Sequence, residues 1–159
     1  MKIRIISVGH KMPSWVDQAC AEYIKRMPRD AAIEIIDIKP EKRAAGNSTE
    51  NIQLIEAKRI NDAIGKDYCI ALDEHGQEIT TLQLAEKFRG WQNGDSTAAR
   101  DIALIIGGAD GLHPSIKQKA DWLWAISKLT LPHAMVRVML SEQLYRAHSV
   151  INNHPYHRE

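Results

Sequence analysis

A chain of 159 residues, 44% hydrophobic and 26% charged, has the make-up of one soluble globular domain able to bury roughly 70% of its unfolded surface. Its formal net charge of +1 excludes the strongly basic class that grips polyanions without specificity. A local basic face on a neutral molecule still leaves RNA open as a substrate.

Residues 2–8 carry Ile3, Ile5, Ile6 and Val8 and read as a first strand ending at Gly9. That start is too short and too charged for a signal peptide, and no apolar run approaches membrane-spanning length, so the expected location is the cytoplasm, with no membrane contact. Pro13 opens a helix to about residue 27, with Trp15, Ala19, Tyr23 and Ile24 near one face, and Pro28 stops it. Cys20 in that helix and the distant Cys69 form no CxxC and point to buried free thiols in a reducing compartment. Residues 33–38 form a second strand, and the polar stretch 39–48 reads as a mobile loop. Ser48 or Thr49 caps a helix from about residue 50 to 64, which Gly65 ends. A third strand over 67–72 is followed by Asp73-Glu-His-Gly, read as a turn. Thr80 or Thr81 then caps a helix through about Trp91, broken at Asn93-Gly-Asp.

The apolar run 102–106 suits a strand buried on both faces, and it ends on Gly107 and Gly108. With Gly111, these glycines let the backbone turn sharply and approach a ligand, and Pro114 suits the first turn of a helix. A second crossing over 122–131 ends at Pro132. The last helix, 133–151, has the clearest period: Val136, Leu140, Leu144, Ala147 and Ile151 fall on one face, with Arg137, Ser141, Glu142, Arg146 and His148 off it. The polar tail 152–159 reads as a frayed end. Alternating strands and helices predict an α/β fold with a mostly parallel sheet flanked by helices. In such a sheet, loops at strand ends are where ligands sit, which nominates the glycine turn and the bend before Pro132.

The motifs are individually weak. Gly-Gly-Ala-Asp-Gly lacks the GxGxxG spacing and the acidic residue about 20 positions on that a dinucleotide fold uses, and no Walker lysine follows. His113 and His133 each adjoin a proline, but no HxxxH or CxxC supports a metal, so a structural role stands ahead of a ligand role. Ser141, His148 and Glu142 do not form a hydrolytic triad, since no nucleophile elbow is present. Arg137 and Glu142 start near the candidate pocket; the plain reading is surface charge, with Glu142 paired to Arg146 at i,i+4. Lys39, Lys42 and Arg43, and the basic end of the chain, are either phosphate contacts or ordinary solvated surface.

Taken together, Ile106-Gly-Gly-Ala-Asp-Gly-Leu, Ser127-Lys-Leu-Thr-Leu-Pro-His, Arg137-Val, Glu142-Gln-Leu-Tyr-Arg-Ala and His154-Pro-Tyr-His are specific. They resemble the bacterial ribosomal RNA large-subunit methyltransferase H family, small knotted enzymes of the SPOUT class, over nearly the whole length. The resemblance implies one SPOUT-like domain over 1–159, a cofactor-binding trefoil-knot region at about 101–151 and a functional tail at 152–159. It also implies S-adenosylmethionine as methyl donor, N3 of a pseudouridine in 23S rRNA within the ribosome as acceptor, a homodimer, and no metal. Carried over by position, Leu72, Gly107, Ile126, Ser127, Lys128, Leu129, Thr130 and Leu131 bind the donor. Arg137, Glu142, His154, Tyr156 and Arg158 are the catalytic candidates: Arg137 to stabilise charge on the base or contact RNA, the tail to close over the partner's donor site, and His154 or Glu142 to take the proton. The rival readings are a nicotinamide-dependent oxidoreductase, disfavoured by the missing acidic residue, and a non-catalytic ribosome-associated factor.

Overall fold

The computed structural model describes residues 1–95, 97–98 and 100–157. Five parallel strands form one sheet: β1 (Ile3–Val8), β2 (Ile33–Ile38), β3 (Tyr68–Gln77), β4 (Ile102–Ile106) and β5 (Trp122–Trp124), in the order β2-β1-β4-β3-β5. Every residue of β4 is buried, as expected of a central parallel strand covered on both faces. Its alternate side chains go to opposite cores. Ile102, Leu104 and Ile106 join one core with Phe88, Trp91, Leu140 and Leu144, and Ala103 and Ile105 join the other with Ala57, Ile60 and Ile116. The first core lies under α1 (Ser14–Ile24), α3 (Thr81–Asn93) and α5 (His133–Ile151), the second under α2 (Thr49–Ile64) and α4 (Pro114–Lys119). The predicted α/β sheet flanked by helices is the one observed.

Local chemistry sets most boundaries. Ser48 accepts from the Asn51 amide at the start of α2, and Thr80 with Gln83 forms a reciprocal capping box on α3. Pro114 sits in the first turn of α4.

Five expectations change. Helix α1 ends at Ile24, ahead of Pro28, and buries Val16 and Cys20, leaving Trp15 about half exposed, so the inward stripe is displaced by one residue. Residues 73–76 are not a turn. β3 runs on through them and, after a register shift, pairs Gln77 with Trp124 of β5. Gly76 is what permits this, because a Cβ there would lie 2.8 Å from the Leu123 and Trp124 backbone. The crossing expected over 122–131 is a strand for three residues only, and the rest is an open bend. The loop 39–48 is tied down: the Glu41 amide donates to Glu56 (3.0 Å), Arg59 to the Lys39 carbonyl (2.8 Å), and Arg43 to Asp110 (2.6 Å). On α5, Arg137 and Ser141 are buried along with the apolar stripe, because the helix packs between α1 and α3 as well as on the sheet, widening its inward arc.

Candidate functional site

The C-terminal ends of β1, β3, β4 and β5 open onto one cavity of about 1150 Å³. The glycine turn, Gly107 to Gly111, and the bend 126–131 both line it, so the two loops nominated from sequence meet on one cavity. Leu72, Gly107, Ile126, Ser127, Leu129, Thr130 and Leu131 all contribute to its wall. Lys128 does not: its side chain is exposed and its ammonium lies 3.4 Å from Glu78. The bend is held by its own polar groups. Ser127 Oγ accepts from the Leu129 amide (3.0 Å), and the Thr130 hydroxyl donates to Glu74 (3.3 Å). Backbone groups at both bends, with apolar Leu72, Trp124, Ile126 and Leu131 between them, suit a flat nucleoside with polar edges.

From this wall a polar chain runs inward, and its links through Ser7 and Asp37 are what sequence reasoning missed. His133, the first residue of α5, places Nε2 2.5 Å from Ser7 Oγ. Ser7 Oγ also accepts from Arg137 (2.8 Å), and Arg137 donates to Asp37 (2.8 Å). The Arg137 side chain is only 2% exposed, whereas Asp37 is 59% exposed. Ser7 accepts from the guanidinium and can give its own hydroxyl proton to His133 Nε2, the arrangement in which the other ring nitrogen carries the ring proton. Burial pushes the His133 pKa below its usual value, helped by the Arg137 charge, while a hydrogen bond to the Gly107 backbone and the Asp37 charge oppose this. The balance favours the neutral ring, which lies beside the glycine turn. Among the described residues, Arg137 Nε is buried without a partner. A signal was available: Ser7 and Asp37 are polar positions near the C-terminal ends of mostly apolar strands, and Glu56 interrupts the Ile52/Ile60 stripe of α2 at four-residue spacing.

The remaining catalytic candidates gather elsewhere. Glu142 accepts from Arg146 (2.5 Å) and from the Tyr156 hydroxyl (3.1 Å), and Tyr156 packs on Tyr145 with ring centroids 4.8 Å apart. The His154 amide donates to the Ser149 carbonyl (2.9 Å), so the tail folds back on α5 instead of fraying. Burial raises the Tyr156 pKa, with Tyr23 and Glu142 adding to it. Neither Glu142, His154 nor Tyr156 lines the cavity of its own chain, and Arg158 lies outside the described residues. Both cysteines are buried free thiols. Among the described residues there is no cluster of metal-ligating side chains, and no helix is long and apolar enough to cross a membrane.

A family model described as "Predicted SPOUT methyltransferase" matches residues 1–157. The chain is 69% identical to the ribosomal RNA large subunit methyltransferase H of Methylobacillus flagellatus, over 100% of both chains. It is 52% identical to that of Burkholderia vietnamiensis, over 99% of each. Two solved structures share the fold. A probable methylase family protein from Haemophilus influenzae superposes with a TM-score of 0.58 and 16% identity, over 99% of this chain and 70% of that one. A putative methylase family protein from Neisseria gonorrhoeae gives 0.53 and 14%, over 99% and 86%.

Proposed function

The chain belongs to the ribosomal RNA large subunit methyltransferase H family of SPOUT methyltransferases, and from that premise we propose that it methylates N3 of a pseudouridine in 23S rRNA using S-adenosylmethionine. The observation that carries this reading is the meeting of the glycine turn and the 126–131 bend on one cavity at the strand ends. Leu72, Gly107, Ile126, Ser127, Leu129, Thr130 and Leu131 hold the donor there by side chain or backbone, with Lys128 contributing its backbone. The donor, when bound, supplies a methyl group on a sulfonium. The chain's task is to place that methyl in line with N3 and to accommodate the proton that N3 loses as the new C–N bond forms; positioning of this kind supplies much of a displacement's acceleration.

Arg137 serves here through Ser7 and His133: too buried to reach RNA, it holds the neutral imidazole that braces Gly107. The proton acceptor is Glu142 or His154. Along α5, Glu142 lies nine residues beyond His133, about 13 Å at 1.5 Å per residue, and the tail is folded beside it. That separation supports a homodimer in which His154, Tyr156, His157 and Arg158 of one subunit close over the donor cavity of the other. On the cavity rim, Lys11, Lys39 and Lys42 suit RNA phosphates. With a net charge of only +1, the protein depends on the shaped ribosome more than on bulk attraction. No acidic residue follows the glycine turn at nicotinamide spacing, so the oxidoreductase reading is not favoured.

The test is transfer of a radiolabelled methyl group from S-adenosylmethionine to ribosomes of a strain lacking its own enzyme, with the product nucleoside identified by mass spectrometry. N3-methylpseudouridine in 23S rRNA is expected. No transfer, or label on another nucleotide, overturns the assignment, and equal transfer to naked 23S rRNA overturns the dependence on the assembled particle.

A further inference from the structure

Glu56 is a carboxylate on the wall of the cavity, 6% exposed, flanked on α2 by buried Ile52 and Ile60. Oε1 accepts from the Glu41 amide (3.0 Å). Oε2 has no hydrogen-bond partner, and no cation lies within ion-pair distance of either oxygen, among the described residues; nearby Arg43 and Arg59 are engaged with Asp110 and Glu41. Oε2 sits over the glycine turn, 3.2 Å from where a Cβ on Gly108 would stand. A side chain there would crowd Oε2 and, at the same distance, Val8 Cγ1, so glycine eases the approach.

A buried carboxylate with one neutral donor costs folding free energy, and replacing it with an apolar group would usually relieve that cost. The arrangement makes sense when a positive charge arrives from the cavity side. We propose that Glu56 is the counter-ion for a positive charge on the methyl donor, and so a determinant of which nucleoside the cavity accepts. This rests on the methyltransferase reading above. The donor offers two such charges, its sulfonium and its amino-acid ammonium, and either is an N–H or C–H-rich cation suited to an acceptor oxygen in a low-dielectric wall. The competing role is a brace for the 39–48 loop through Glu41.

The E56Q substitution separates these roles, because glutamine retains an acceptor for the Glu41 amide and loses the charge. Calorimetric titration of the unsubstituted protein and E56Q with S-adenosylmethionine, S-adenosylhomocysteine and methylthioadenosine gives three arms: two positive charges, the ammonium alone, and none. Weakening of about tenfold or more for S-adenosylmethionine only assigns the sulfonium, and weakening for the first two ligands alone assigns the ammonium. Either result supports the proposal. Equal weakening of all three, or no change in any, overturns it. Unliganded E56Q should unfold at the same or a higher temperature than the unsubstituted protein; a clear fall identifies a brace and overturns the counter-ion role. E56D keeps the charge and should retain more preference for the cationic ligands than E56Q does, a comparison that also serves if E56Q is poorly soluble. If the unsubstituted protein binds none of the three, the methyltransferase reading falls with it, an outcome distinct from indifference to the substitution.

Discussion

The start of α5 and its second half carry similar polar side chains in different settings. At the first turns, Arg137 is shut in with Ser7 against the sheet, and His133 reaches Ser7 from the cavity wall. From the middle of the helix onward, Glu142, Arg146 and Tyr156 form a similar acid–base–hydroxyl group, but in a partly exposed patch where the tail lies. In water-filled surroundings such pairs contribute little to stability and are easily exchanged for others. Burial therefore makes the start of the helix a frame and leaves the later group freer to trade partners, as the proposed donor site and tail would respectively need.

That contrast breaks first at Asp37. Asp37→Asn deprives a nearly fully buried guanidinium of its counter-ion and should cost up to about 3 kcal/mol, the low end for an ion pair broken at one partner because Asp37 keeps water. Denaturant unfolding reads this, and a loss below about 1 kcal/mol would place Arg137 outside the frame. Ser7→Ala, which removes both an acceptor for Arg137 and a donor to His133, should cost about 1–3 kcal/mol. It should also change the His133 tautomer seen by nitrogen-15 NMR; an unaltered ring would mean that Gly107 alone orients it. At the other end, Tyr156→Phe should change stability by less than about 1 kcal/mol and leave donor affinity unchanged, while turnover on ribosomes falls. His154→Ala should behave likewise, and wild-type turnover in either variant would remove the tail from the reaction.

The gentlest lever is pH. Burial lowers the His133 pKa, with Arg137 adding to the effect; burial also lowers that of His148, opposed by Asp30 and helped by His154. A base whose pKa is depressed by folding binds more protons when unfolded, so its contribution is complete above about pH 6.5 and declines as pH falls through the folded value. Stability measured from pH 7.5 downward should fall in that window, less steeply in His133→Gln than in the unsubstituted protein. Matching slopes would assign the fall to His148 or other groups.

Much of this was legible because it is local. The bounds of α5, the Ser48 and Thr80 caps and the buried β4 follow from periodicity and capping chemistry within a few residues. Residues 73–76 were not, because Asp-Glu-His-Gly carries turn chemistry and becomes strand only when β5 lies alongside. Arg137 looked like surface charge for a similar reason: Asp37 is 100 residues away and Ser7 is 130. The cavity is lined by the two bends that the sequence nominated, whereas Glu56 shows in the sequence only as a charge at four-residue spacing between Ile52 and Ile60.

Strand order has a kinetic corollary. β4 lies between β1 and β3, so Ile3 waits for Ile102, nearly a hundred residues later, before the middle of the sheet can zip up. Closing such distant ends precedes any reward from pairing, which makes refolding slow for a chain of this size. The glycine turn leaves directly from β4, so a nascent or partly refolded chain has no ligand pocket until that strand has slotted in. Donor capture and completion of the sheet should rise together, as one phase, in a refolding time course.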